Sequence, residues 1–295
     1  MNASEIPLAI HVRRAGQWAF AASVLTIGLI AYGAWVRVSG AGLGCPDWPL
    51  CEGVIVPELE GDTAIEFGHR VYAGVTMLAT AVAAWYAFRA RTLEPLTNRL
   101  LLWALAAIVA QAGLGGATVL TELHGMVRLA HLTFSLLTLA LLTIGALHAL
   151  GWTRAALPGI RRTRALLVAT AFVVLVGGSI VGTNSSAGCP TLPLCDGSVG
   201  AENLTLHMLH RAAASALLLT FFFTAWQVWR RAGIGLAFNL SLAAGLVSAA
   251  QFAVGVTSIA IGLYPELRVL HLALATLLWW VVVIHFGLAL QPRRR

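Results

Sequence analysis

The chain has 295 residues, 59% of them hydrophobic and only 11% charged, with a mean hydropathy of +0.82. A soluble domain of this length would carry about twice that charged fraction, so a water-soluble globular fold is excluded. The net charge of +7 comes entirely from arginine, since there is no lysine, and 14 of the 19 arginines fall on one side of an alternating series of apolar runs, which leaves no nucleic-acid footprint.

The apolar runs are about 20 residues long, the length that crosses the hydrocarbon core of a bilayer. Eight spans are predicted, at 17–37, 68–88, 100–120, 129–150, 164–183, 208–229, 236–258 and 268–290. The first lacks a small-x-small cleavage site and is followed by further spans, so it is expected to be retained. Arg13, Arg14, Arg89, Arg91, Arg99, Arg154, Arg161, Arg162, Arg164, Arg230, Arg231, Arg293, Arg294 and Arg295 share one side. Asp47, Glu52, Glu58, Glu60, Asp62, Asp196 and Glu202 fall on the other. The positive-inside rule then predicts a multi-pass cell-membrane protein with both termini in the cytoplasm.

Residues 1–16 form a short cytoplasmic lead. The first span ends at Arg37 and opens an outer loop, Gly44-Cys45-Pro46-Asp47-Trp48-Pro49-Leu50-Cys51-Glu52-Gly53, that continues through acidic residues to Glu66-Phe67-Gly68-His69-Arg70 at the start of span two. Span three carries Gln111-Ala112-Gly113-Leu114-Gly115-Gly116, small residues that allow close helix approach. An outer turn leads to Arg128-x-x-His131 and span four.

The order then repeats. Gly188-Cys189-Pro190-Thr191-Leu192-Pro193-Leu194-Cys195-Asp196-Gly197 matches the first outer loop, His210-Arg211 matches His69-Arg70, Ala250-Gln251 matches Ala110-Gln111, and Arg268-x-x-His271 matches Arg128-x-x-His131. This is an internal duplication of four spans. Four is even, so both halves enter from the same side, and a pseudo-two-fold axis along the membrane normal is expected. The expected fold is an all-α membrane protein of two tandem four-helix bundles. Residues 17–150 form the first half and 164–290 the second. A cytoplasmic linker at 151–163, containing Pro158-Gly159, joins them, and 291–295 form a tail.

Spans two and four of each half run inward from the outer face, so His69 and His131, and likewise His210 and His271, are expected at matched depth about one turn below the outer surface. Imidazoles at equal depth on neighbouring parallel helices can grip one iron from opposite faces, as bis-histidine haem ligation requires. Hydrogen-bonded packing histidines, or a zinc or copper ion, are the alternatives. Four of the five outer arginines, Arg70, Arg128, Arg211 and Arg268, flank these histidines, where a guanidinium fork could bind haem propionates or snorkel to the interface. His148 and His285 are read as structural, and His11 as solvated.

The halves differ at one position. Glu66 stands one turn before His69, whereas His207 stands one turn before His210. A carboxylate beside a low-dielectric haem can act as a base or stabilise developing positive charge; alternatively it caps the first turn of span two. Chemistry is therefore expected in the first half and a fixed electron-carrying haem in the second. The four cysteines lie in outer loops facing an oxidising space, so two local disulfides are expected, Cys45–Cys51 and Cys189–Cys195. They serve either as staples or, for Cys45 and Cys51 beside Glu66, as a redox pair.

With these residues together, the chain resembles the haem A synthase family along nearly its whole length. The resemblance rests on the Gly-Cys-Pro-Asp-Trp-Pro-Leu-Cys loop, Glu66-x-x-His69-Arg70, the duplicated histidine pairs and the eight spans. It implies oxidation of the C8 methyl of haem O to a formyl group by successive hydroxylations, with water as the oxygen source. It also implies substrate haem at His69 and His131, a bound haem b at His210 and His271, Glu66 as the catalytic carboxylate, and Cys45 and Cys51 as the functional outer-loop pair. The second loop departs from the pattern by lacking Asp-Trp, which favours a structural role for Cys189 and Cys195. Partners in view are haem O, the lipid bilayer, a haem O synthase, terminal oxidase assembly factors and a second copy of the chain. The rivals are a quinol-linked di-haem electron-transfer protein and a haem carrier.

Overall fold

A computed structural model describes residues 5–152, 160–183, 185–196 and 200–290. The Pro158-Gly159 linker motif, Arg154, Gly197 and the tail 291–295 lie outside the described residues. The rest forms eight long helices: α1 (Glu5–Val38), α2 (Gly61–Arg89), α3 (Pro95–Leu120), α4 (Gly125–Ala149), α5 (Ile160–Gly182), α6 (Ala201–Ala232), α7 (Leu236–Ile261) and α8 (Pro265–Leu290). All eight are long and apolar enough to cross a membrane. Among the described residues there is no sheet, only a single bridge between Cys51 and Val54 in the outer loop.

The sequence dictates helices because each run is rich in leucine and alanine or other apolar residues and free of internal proline. Every described proline lies in the first turn of a helix (Pro7, Pro95, Pro265) or in an outer loop, where its missing N–H is harmless. Buried hydroxyls fall back on their own helix: Thr26, Thr80, Thr143 and Thr170 each donate to the carbonyl four residues earlier. In lipid no water can take that bond, so the helix must supply the acceptor.

The helices extend past the predicted spans. α1 begins at Glu5, inside the expected cytoplasmic lead, and its 34 residues are about 50 Å long. α2 begins at Gly61 and α6 at Ala201, so His69 and His210 lie about two turns inside their helices rather than one. α5 begins at Ile160, within the expected linker. Polar residues at helix ends hide these extensions, because a helix need not stop where the hydrocarbon does.

Three apolar cores hold the helices. The first joins α1 to α4 around Ala15, Ala19, Ala83, Leu101 and Leu142. The second joins α5 to α8 around Leu166, Phe221, Ala244 and Val282. The third lies across the two sets, with Ile30 of α1, Leu136 and Leu139 of α4 and Trp279 and Val283 of α8. There the buried Trp279 indole donates to the Leu136 carbonyl, 3.0 Å away. The alanines of the first core fit the close packing expected where lipid provides no hydrophobic drive.

Candidate functional site

Each of the two cysteine loops is a disulfide-closed ring held by an arginine from the helix that follows. Cys45–Cys51 and Cys189–Cys195 both form disulfides, with Cα separations of 4.7 and 5.1 Å. Arg70 donates from Nη1 to the carbonyls of Asp47 (2.9 Å) and Leu50 (2.7 Å) and from Nη2 to that of Cys45 (3.0 Å). Arg211 repeats this with Thr191 (2.8 Å), Pro193 (3.0 Å) and Cys189 (2.9 Å). A tight ring turns carbonyls inward with no strand partner, and the planar guanidinium fork satisfies three at once. The donors expected for propionates are thus largely directed to the loops. Arg128 stands near the start of α4 and Arg268 near that of α8, and Arg37 at the end of α1 is within electrostatic reach of both.

Within the first ring the Asp47 carboxylate accepts from the amides of Glu52 (2.6 Å) and Gly53 (2.9 Å). The Gly53 amide, with that of Glu52 and the nearby Arg70 charge, holds the Asp47 carboxyl below the usual carboxylate range. Thr191 does the corresponding work in the second ring, its hydroxyl accepting from the Asp196 amide (3.0 Å) and donating to the Leu194 carbonyl (2.7 Å). Trp48 has no such replacement. Its ring presses on Gly116 of α3, where a Cβ would collide with it; the corresponding pair in the second half is Leu192 and Val256.

Glu66 is buried, 6% exposed, and accepts from Arg70 Nε at 3.1 Å. One arginine therefore joins the carboxylate to the Cys45–Cys51 ring. Glu66 lies in the second turn of α2, past the first-turn amides a cap would serve. His207, in the matching place, is also buried, but its Nε2–H donates to the Ser185 carbonyl at 2.9 Å and so fastens the α5–α6 loop.

The histidines approach in pairs from α6 and α8, and from α2 and α4. The His210 and His271 rings are 6.5 Å apart, centre to centre, at an interplanar angle of 69°. Two iron–nitrogen bonds of about 2 Å, plus roughly 1 Å from ring centre to nitrogen at each end, need about 6 Å. The separation fits a shared iron. His69 and His131 lie within electrostatic reach of one another, and Tyr32 meets His69 edge-on, 5.7 Å between ring centres. The Nδ1 atoms of His69, His131 and His271 are buried without a hydrogen-bond partner, whereas His210 Nδ1–H donates to the Val173 carbonyl at 3.2 Å. Among the described residues no group of three or more His, Cys, Asp or Glu could hold a bare ion. A zinc or copper site needs such a set, whereas haem brings four nitrogens and asks the protein for only one or two. The donor set fits haem.

The other histidines pack against neighbours. His148 Nδ1 meets the Thr97 hydroxyl at 2.9 Å and Glu94 at 3.4 Å. His285 is buried near Ser241. His11, expected in water, is half-buried beside Tyr86, 5.7 Å between rings, because α1 continues through it. Residue patterns alone missed Tyr32 and the glycines Gly33, Gly177 and Gly255 that face histidines, and gave Trp48 and Gly115 no contact partner. The glycines had a readable signal: Gly33 and Gly177, and Gly115 and Gly255, recur at the spacing of the duplication.

Fold and site together define a multi-pass helical membrane protein with two pairs of histidines on α2 and α4 and on α6 and α8, and two disulfide-closed loops. Residues 16–283 match the model of the cytochrome oxidase assembly protein family, and the chain belongs to that family. Among curated relatives it is 34% identical over 280 residues to a heme A synthase of Symbiobacterium thermophilum, covering 86% of this chain and 88% of the relative. It is 32% identical over 219 residues to the heme A synthase of Bacillus pumilus (68% and 69% covered) and 30% over 217 to that of Shouchella clausii (68% and 71%).

Proposed function

We propose that this chain is a haem A synthase, an oxidoreductase whose substrate is haem O and whose product is haem A. The observation that carries the reading is a buried carboxylate, Glu66, beside one of two otherwise matched histidine sites. Family membership and curated relatives of that name support it. Converting the C8 methyl to a formyl group consumes one water and releases four electrons and four protons, in successive hydroxylations with water as the oxygen source. In the first half His69 and His131 hold the substrate iron. Glu66, oriented by Arg70, accepts protons there or stabilises positive charge that develops on the substrate. Arg70 also keeps the Cys45–Cys51 ring closed over the site, which excludes bulk water.

In the second half His210 and His271 would hold a haem b, whose iron when bound would supply a one-electron exit. Arg128 and Arg268, with Arg37 beside them, bind propionates, assisted by whatever donors Arg70 and Arg211 retain after serving the loops. The two sites occupy tandem four-helix halves, 17–150 and 164–290, around a pseudo-two-fold axis along the membrane normal. The repeated loop clamp and the separate apolar cores support that division. The arginine distribution supports cytoplasmic termini, with the disulfide rings on the outer face. A haem O synthase, terminal oxidase assembly factors and a second copy of the chain are the candidate protein partners.

Purifying the full chain and identifying its haems by mass tests the reading. Haem A or a hydroxylated haem O, with loss of both in Glu66→Ala protein that retains haem, is the expected result. Haem b alone in both sites would indicate a di-haem electron-transfer protein instead, and readily exchanged haem a carrier.

A further inference from the structure

We infer that Gly33, Gly115, Gly177 and Gly255 are positioning residues for the four paired histidines: each is the bare patch of helix on which one imidazole lies. The inference rests on the bis-histidine haem reading above. His69 of α2 lies on Gly33 of α1, His131 of α4 on Gly115 of α3, His210 of α6 on Gly177 of α5, and His271 of α8 on Gly255 of α7. A Cβ built on these glycines would stand 3.2, 3.3, 2.8 and 3.0 Å from the respective Cε1 atoms. Every pair therefore uses the same ring edge, and every histidine is set on the preceding helix.

At His210 the main chain one turn earlier gives a reason for the close approach. Val173, four residues before Gly177, offers the carbonyl that His210 Nδ1–H reaches. Gln111 and Gln251 stand four residues before Gly115 and Gly255, the place that Val173 holds before Gly177, although His131 Nδ1 and His271 Nδ1 make no hydrogen bond there. A helix carbonyl already bonded to the amide four residues on keeps a second lone pair, but a side chain at that later residue would cover it. Glycine uncovers it. At His210 the carbonyl-held Nδ1–H fixes the tautomer and leaves Nε2 unprotonated for iron, the second-shell arrangement typical of metal-bound histidine.

Other helical glycines behave differently. Gly74 of α2 and Gly113 of α3 have nothing within 4 Å of a built Cβ, and Gly145 and Gly178 meet leucines. Close approach at a histidine is specific to the four positions that recur with the duplication.

The test uses the full-length purified protein carrying Gly33→Ala, Gly115→Ala, Gly177→Ala or Gly255→Ala, with Gly74→Ala and Gly113→Ala as controls. Optical and paramagnetic-resonance spectra report low-spin bis-imidazole iron, and haem per protein reports retention. Gly177→Ala and Gly255→Ala should lose the low-spin signature of one haem, with roughly 10–100-fold weaker retention. Gly33→Ala and Gly115→Ala should disturb the other haem, by less, and the controls should match the parent. If Gly177→Ala does not accumulate, Gly33→Ala and Gly115→Ala decide, since there the neighbour need yield by only a few tenths of an ångström. Unchanged ligation in the four variants, or equal disturbance by the controls, overturns the inference. A parent protein with no bis-imidazole haem would instead overturn the haem reading, before any glycine variant is read.

Discussion

The two halves share a frame and differ in what fills it. Both have an arginine threaded into a disulfide ring through three carbonyls and a histidine on each of two helices set against glycine. The first half adds Glu66 on Arg70, Tyr32 against His69 and Trp48 on Gly116. At the corresponding positions the second half has His207, Val176 and Leu192. His207 closes on a main-chain carbonyl, so it fastens a loop where Glu66 presents a charge. On the proposed reading, duplication gave two places to hold a flat macrocycle, and divergence put a buried carboxylate beside only one.

The largest expected effect tests that contrast directly. Glu66→Gln should lower conversion of haem O by roughly 10²–10⁴-fold while both haems stay bound, the range for removing a general base. His207→Gln should leave turnover within a few-fold of the parent, measured by haem mass analysis of the same membranes. Equal losses in the two variants would erase the distinction between the halves.

Arg70→Ala and Arg211→Ala come next. Each removes three carbonyl bonds from a ring, and hydrogen bonds to a charged group contribute about 1.5–3 kcal/mol apiece. Limited proteolysis should show either loop opened, but only Arg70→Ala should also depress turnover, by about tenfold or more, because Glu66 loses its partner. Lysine should not restore either ring, since a point charge cannot reach three fixed carbonyls as the fork does. Full activity in Arg70→Lys would show that Arg70 acts as a charge alone.

Removing the disulfides separates stability from chemistry. Cys45→Ser and Cys189→Ser should each lower thermal stability by a similar amount, roughly 2 kcal/mol for so short a ring, followed by the melting temperature in detergent. Activity should fall further in Cys45→Ser. A matched fall in both would make the rings equivalent staples.

The smallest effect is set by pH. The Asp47 carboxyl titrates below its unfolded value, so its support for the first ring is present above the unfolded value and is lost as pH falls through the folded one. Thr191 does not titrate. Acidification below the ordinary carboxylate range should therefore raise protease access to residues 45–53 before residues 189–195, and Asp47→Asn should abolish the difference.

Much of this was legible in residue order. Eight apolar runs, the alternation of arginine and acid, and the duplicated Cys, His and Arg spacings gave the helices, the two disulfides and the paired histidines, because each is a local or periodic signal. Helix ends were not legible. α1 runs back through Arg13 and Arg14, since composition marks where lipid ends and not where hydrogen bonding ends. Nor did spacing reveal that Arg70 and Arg211 face the loops, because a guanidinium at a helix start suits a ring of carbonyls as well as an anion.

The sequence by itself determined that this chain has eight helices able to cross a membrane, that its two cysteine loops are cross-linked, and that Glu66 stands before His69 where His207 stands before His210. Those properties follow from hydropathy over 20 residues and from identity at fixed offsets. Only the tertiary structure decided which carbonyls hold Arg70, what His207 grips, and which glycine lies under each imidazole. Such contacts join residues on different helices, and their distances depend on how backbones pack rather than on the order of residues along any one of them.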